Sequence, residues 1–379
     1  MYRTSGRLAS LDGLRGLAAF VVVAHHALLT VPSIAVASFG LPTESRLARV
    51  LTFSPLHLAW AGTEAVYVFF VLSGLVLVRA MGREGAAWDT YVPSRLLRLI
   101  GPVLPAVLFA WVLFAVVPRD AEVLSPWLDG SVRTYGATGM LRDLTLVGGI
   151  SGAITPLWSM RWELYFSLLL PVFVLAAKRI NYRLLLVAAI CVSFAGVAGG
   201  GEAANYLSMF ALGAALSAAV PRLGAARAWL DDAPHAVTWV GGLVALAAGG
   251  VLVVAGWWQE GITATQKMAA ITHVLTLVGI VAIVVLALVW TPWVKLLESR
   301  LIQWTGAVSF SLYLVHEPII KTAAFAFPGS RLAVAIAVVA SLVVAWAFAR
   351  WIERPIHMAA RRVAHPRSAA TAIAGAQAG

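Results

Sequence analysis

The chain has 379 residues, of which 61% are apolar and only 12% charged, and its mean hydropathy is +0.87. Soluble domains of this length do not carry that balance, so water is not the main solvent. The net charge is +11, but the basic residues fall between apolar stretches rather than in one patch, which argues for membrane topology and against nucleic acid.

A hydrocarbon core about 30 Å thick needs roughly 20 apolar helical residues. Ten segments qualify in chain order: 12–30, 62–80, 95–117, 160–178, 183–199, 203–220, 236–256, 268–291, 304–326 and 331–351. The expected fold is an all-α integral membrane protein, about ten transmembrane helices in one bundle. Residues 1–366 form the transmembrane domain, and the Ala/Gly-rich stretch 367–379 reads as a disordered tail. Arg3 and Arg7 before the first apolar run resemble a signal peptide, but Asp12, Arg15, His25 and His26 do not suit a cleavable segment. With the N-terminus inside, about twice as many Lys and Arg residues fall on the inner as on the outer connections. The positive-inside rule then puts both termini in the cytoplasm, and the expected location is the inner (plasma) membrane. The two long connections, 31–61 and 118–159, face outward.

Polar side chains at membrane depth are costly, and this makes them functional candidates. In the first segment Arg15 and His26 are eleven residues apart, three turns plus about 20°, with a rise of ~16 Å. They share a stripe from which His25 departs by about 80°, and Asp12 can pair with Arg15 along the helix. The second segment holds Phe69-Phe70-Val71-Leu72-Ser73-Gly74, a small Ser73-Gly74 step suited to close backbone approach. Arg95 and Arg98 lie one turn apart before Gly101-Pro102 and could offer two guanidinium groups to phosphates. The fourth segment opens Trp158-Ser159-Met160-Arg161-Trp162-Glu163-Leu164-Tyr165; an aromatic belt explains its Trp residues but not Glu163. In the ninth, Ser309, Tyr313 and His316 recur at spacings of four and three, so one face is polar at mid-membrane depth. His273 reads as structural. Cys191 is the sole cysteine, so neither a disulfide within the chain nor a cysteine metal cluster can form, and no metal is expected. Gly-rich phosphate loops and nucleophile elbows are absent from the sequence.

Together these motifs resemble the membrane acyltransferase-3 family. Arg15 with His26 is similar to its Arg-x10-His signature, Phe69 to Gly74 to its Phe-Phe-Val-x-Ser-Gly element, and Arg95 to Pro102 to its arginine-rich turn. Trp158 to Tyr165 resembles its Trp-Ser-x3-Glu element, Ser309 to His316 its Ser-x3-Tyr-x2-His element, and Trp351-Ile352-Glu353-Arg354-Pro355 its closing Glu-x-Pro. Departures are Ser94, where many relatives carry the first arginine of a pair, and Tyr67, where many carry an acidic residue.

The resemblance implies transfer of a short acyl group, commonly acetyl, from cytoplasmic acyl-CoA to a hydroxyl of a surface glycan, a lipid-linked sugar or a glycosylated metabolite such as a macrolide. Acyl-CoA is then a co-substrate, with no permanently bound cofactor. On that reading His26, Glu163, His316 and Tyr313 are the expected catalytic residues, with His26 as general base, His316 or Tyr313 donating to the carbonyl oxygen, and Glu163 orienting a histidine or binding the acceptor sugar. Asp12, Arg15, Ser73, Arg95, Arg98 and Glu353 would bind the donor at the inner face, and Trp158, Ser159 and Tyr165 the acceptor. Without the resemblance, the same polar helices would also suit a transporter or flippase, against which the lack of an inverted repeat counts.

Overall fold

The computed structural model describes residues 8–123, 125–258 and 266–364. Arg3, Arg7 and the tail 367–379 lie outside the described residues. The described chain is helical, without strands. Helix α1 (Ala9–Leu28) is followed by the short α2 (Pro32–Ser38) and α3 (Arg46–Thr52), a 3-10 turn (Pro55–Ala59) and the long α4 (Gly62–Met81). Next come α5 (Trp88–Ile100), α6 (Val103–Val116), the short α7 (Pro126–Asp129) and α8 (Ala137–Thr145), then α9 (Leu157–Arg179), α10 (Tyr182–Gly199), α11 (Glu202–Asp232) and α12 (His235–Val253). The chain closes with α13 (Gln266–Val289), α14 (Thr291–Leu297), α15 (Arg300–Ala326), α16 (Arg331–Phe348), a π turn (Ala349–Glu353) and α17 (Arg354–Ala364).

Each of the ten expected spans falls on helix, with 95–117 divided between α5 and α6. Among the described residues nine helices are long and apolar enough to cross a membrane, counting α5 and α6 as one and α16 with its extension as another. The ninth expected span, α15, is 27 residues long but is not in that set. Its buried positions include Ser309, Ser311, Tyr313, His316, Glu317 and Lys321, which lower its hydropathy while packing against other helices rather than lipid. The expected 95–117 segment is broken at Gly101-Pro102, because Pro102 lacks the N–H that a continuous helix would need, and α5 starts earlier, at Trp88. The outer helices turn apolar side chains outward, as a lipid solvent requires: Val187 on α10, Val240 and Leu243 on α12 and Val339 on α16 all stand exposed.

Two apolar clusters share α1 and α9 at the centre. One gathers Leu14, Val71, Phe166 and Phe210 from α1, α4, α9 and α11; the other gathers Val23, Val107, Leu157 and Val315 from α1, α6, α9 and α15. Helices α1 and α15 meet almost backbone to backbone. A Cβ on Gly16 would fall 2.9 Å from the Thr305 carbonyl carbon, and one on Gly306 2.9 Å from that of Asp12. Larger residues there would force the helices apart and separate the histidines farther along both. The Ser73-Gly74 step serves packing in the same way, since a Cβ on Gly74 would lie 3.0 Å from Phe210 Cα on α11.

Candidate active site

Where α1 and α15 leave their glycine crossing, His26 and His316 meet in the interior, 9% and 0% exposed. His26 Nδ1 lies 2.8 Å from His316 Nε2, and His316 Nδ1 lies 2.7 Å from the Leu312 carbonyl oxygen. A carbonyl can only accept, so His316 Nδ1 carries the hydrogen and its Nε2 is a lone pair. His26 Nδ1–H therefore donates to His316, which leaves the lone pair of His26 on Nε2. The indole of Trp127, on α7, stacks on the His26 ring at 5.4 Å and 26°.

Beside the pair, Tyr313 Oη and Ser159 Oγ are 2.7 Å apart, and Ser159 donates to the Pro156 carbonyl at 3.0 Å. With the serine proton so committed, the Tyr313 hydroxyl donates to Ser159. The N–H of His316 is likewise held by Leu312, so in this arrangement neither group expected to polarise a carbonyl has a spare proton. Tyr313 can supply one by rotating off Ser159; His316 cannot without releasing Leu312.

Glu317 is the buried carboxylate that the sequence reading missed. It accepts from Thr155 N–H at 2.6 Å, Thr155 Oγ at 2.7 Å and Lys321 Nζ at 2.7 Å. Lys321 in turn lies 4.9 Å from the centroid of the Trp127 ring. The Glu317/Lys321 spacing of four in an apolar helix was the available signal, because two opposite charges at that interval can neutralise one another at depth. Trp127 had none, lying in a connection without periodicity.

Glu163 is joined to Arg95 by a tight ion pair, not to a histidine. Arg95 Nε also donates to Ser167 Oγ at 3.1 Å, and Ser167 donates to the Glu163 carbonyl at 2.7 Å. Of the two places expected for Glu163, the one that orients a histidine gives way to a pairing with Arg95, since α5 packs alongside α9 and brings the arginine to it. Arg15 pairs with Asp12 at 3.2 Å, and Ser311 donates to Glu353 at 2.5 Å. Ser73 has no side-chain hydrogen bond among the described residues. Trp158 packs against Phe70 and Tyr206, with ring centroids 6.1 and 5.2 Å away, while the Tyr165 hydroxyl donates to the Val147 carbonyl at 3.2 Å. Ser94 donates to the Tyr91 carbonyl, and one turn before Tyr67 the buried Glu64 accepts from Trp257 Nε1 at 2.8 Å. His273 bonds Ser193 at 2.9 Å.

A second histidine group lies beyond the first. His25 Nδ1 donates to the Trp60 carbonyl at 3.0 Å, and its ring stacks on Trp60. His57, in the 3-10 turn, is 0% exposed, packs against Trp60 and Trp257 at 4.3 and 4.0 Å, and has no hydrogen-bond partner at either nitrogen. Burial pushes its pKa down to about 3, and His25 adds to the shift. Among the described residues no three or more His, Cys, Asp or Glu side chains are grouped to hold a metal ion.

The described helices thus bury a hydrogen-bonded histidine pair at one level and pair arginines with carboxylates at another. The chain belongs to the acyltransferase-3 family: the family profile, described as an acyltransferase domain, matches residues 8–350. It is also 31% identical over 202 residues to "Acyltransferase MdmB" of Streptomyces mycarofaciens, a stretch that covers 50% of this chain and 46% of the relative. The match thus spans about half the length of that curated relative. No solved structure matches the chain.

Proposed function

We propose that this multi-pass membrane protein transfers a short acyl group, commonly acetyl, from acyl-CoA to a hydroxyl of a sugar-containing acceptor, with His26 as general base. The single observation that carries the reading is the tautomer of the histidine pair. It leaves the Nε2 lone pair of His26 uncommitted while its Nδ1–H is held by His316.

In the reaction, His26 Nε2 takes the proton of the acceptor hydroxyl as its oxygen attacks the thioester carbonyl carbon. The resulting imidazolium is stabilised by the His316 Nε2 lone pair, which accepts from His26 Nδ1–H as an acceptor behind a catalytic histidine generally does. When the tetrahedral intermediate collapses, the C–S bond breaks and the thiolate recovers the proton from His26. No proton is gained or lost overall. The Tyr313 hydroxyl, turned from Ser159, is the donor suited to the developing oxyanion. Glu163 supports the donor end through Arg95 rather than acting on the acceptor. The rise of ~16 Å along α1 from Arg15 to His26 suits a pantetheine arm extended from its phosphates to the reacting carbonyl. The excess of cations at the Arg15 end favours placing that end, both termini and the donor on the cytoplasmic side of the inner membrane. Trp158, Ser159 and Tyr165 remain the acceptor-side residues of this proposal, and Ser73, Asp12 and Glu353 line the route of the donor.

The test is transfer from labelled acetyl-CoA in proteoliposomes supplied with glycan and glycoside acceptors. His26→Ala should abolish turnover while leaving expression and gel-filtration behaviour intact. Turnover near that of the parent would remove His26 from the reaction; substrate uptake without acylation would favour a transporter.

A further inference from the structure

Helix α17 lies antiparallel along α5, tied at both ends. Thr90 Oγ1 donates to the Ala364 carbonyl at 3.1 Å, and Ile356 packs against Gly101, where an added Cβ would come within 2.8 Å of its Cγ2. Between these ties lie Arg95 and Arg98 on α5 and His357 and Arg361 on α17, each pair spaced by one helical turn. The electrostatic neighbours of His357 are Arg98, Arg361, Arg95 and Arg15, and those of Arg98 are Arg361 and Arg95. Three helices therefore converge four guanidinium groups and an imidazole on one place.

The local carboxylates do not balance them. Asp12 is paired with Arg15 and Glu163 with Arg95, while Glu353 accepts from Ser311 and stands 3.8 Å from His357 Nδ1. Among the described residues neither Arg98 nor Arg361 has a carboxylate within ion-pair distance, and Arg98 Nε is buried without a hydrogen-bond partner. Like charges crowded in this way repel, and a polyanion relieves the repulsion while accepting the idle N–H donors.

We propose that α17 completes an anion cradle in which Arg361 and His357, with Arg98, hold the phosphates of the 3′-phosphoadenosine diphosphate part of CoA. This rests on the acyl-CoA reading above and adds to it His357 and Arg361, which no motif of that reading includes. A CoA polyphosphate suits the cradle better than a single lipid phosphate, since the cations come from three helices and Arg15 begins the stripe that leads to His26.

The experiment measures binding of CoA and of pantetheine to the full chain in nanodiscs of zwitterionic lipid, with KM for acetyl-CoA in parallel. Arg361→Ala should weaken CoA binding and raise KM by about tenfold, the loss of one charge-assisted contact, while pantetheine binding holds. Arg361→Lys should recover part of the loss. Arg362→Ala removes the same charge one residue away and should leave both measurements as they were. Equal losses in Arg361→Ala and Arg362→Ala, or none in either, would overturn the cradle. Retention of CoA binding by Arg361→Ala in zwitterionic lipid, with loss of anionic lipid binding instead, would assign the cations to a lipid headgroup and also overturn it. If the parent binds no CoA and transfers no acetyl group, it is the underlying donor reading that fails.

Discussion

Two histidine groups sit almost side by side, joined by the adjacent residues His25 and His26, and they are built on opposite principles. His26 and His316 form a chain of directed hydrogen bonds ending on the Leu312 carbonyl, which fixes each tautomer and leaves one basic nitrogen open. His57 is clamped by two indoles with both nitrogens unpartnered. On the proposed mechanism, burial alone does not mark the reactive histidine; a defined partner for the nitrogen away from the proposed substrate does.

The contrast can be broken most forcefully by activity. His26→Ala should lower turnover by about 10²–10⁴-fold, the usual range for a general base, whereas His57→Phe, which keeps the stack, should stay within about twofold. A tenfold loss from His57→Phe would erase the distinction. Next in size is the support beneath the first group. Lys321→Met leaves the Glu317 carboxylate buried and uncompensated, and should cost about 3–5 kcal/mol in thermal or denaturant unfolding in detergent. Pairing it with Glu317→Gln should restore part of that, because no bare charge is then left inside. Smaller again is the comparison of His316→Asn with His316→Ala. The amide oxygen of Asn can still accept from His26, so Ala should lose about tenfold more in kcat with KM for the donor unchanged.

The smallest effect is one of pH and belongs to His57. Its folded pKa, about 3, lies below the ordinary 6.5. Between those values the unfolded chain binds a proton that the folded chain does not, so stability falls as pH drops below 6.5 and the loss is complete only near pH 3. Over the first unit below the ordinary value this amounts to about 1 kcal/mol. His57→Phe should flatten that part of the acid-stability curve, measured as unfolding temperature against pH; an unchanged slope would mean that the ring is hydrated in solution.

Much of this was legible in the sequence because hydropathy and helical phase are local properties. The ten spans were visible as apolar runs, and the 100° step per residue separated His26 from His25 before any neighbour was known. The 95–117 span was expected unbroken, although Pro102 inside it lacks the N–H that a continuous helix needs. Glu163 was visible as an anomalous carboxylate, but its partner was not, since pairing with Arg95 depends on how α5 docks against α9. Trp60 and Trp127 arise from connections without periodicity, and their stacking on the histidines exists only once those connections fold back over α1. Arg361 is one basic residue among many on the inner side by sequence and His357 carries no pattern; only the antiparallel register of α17 on α5 gathers them with Arg98.

That register depends on the π turn at Ala349–Glu353. A π turn holds one residue more than an α turn, so it rotates everything downstream by about 100° relative to a straight continuation of α16. Removing a single residue within the turn would swing the basic stripe of the last helix away from its neighbour without altering its composition. The C-terminal helix thus owes its partner to an insertion, and a chain with the same charges in an uninterrupted helix would present them elsewhere.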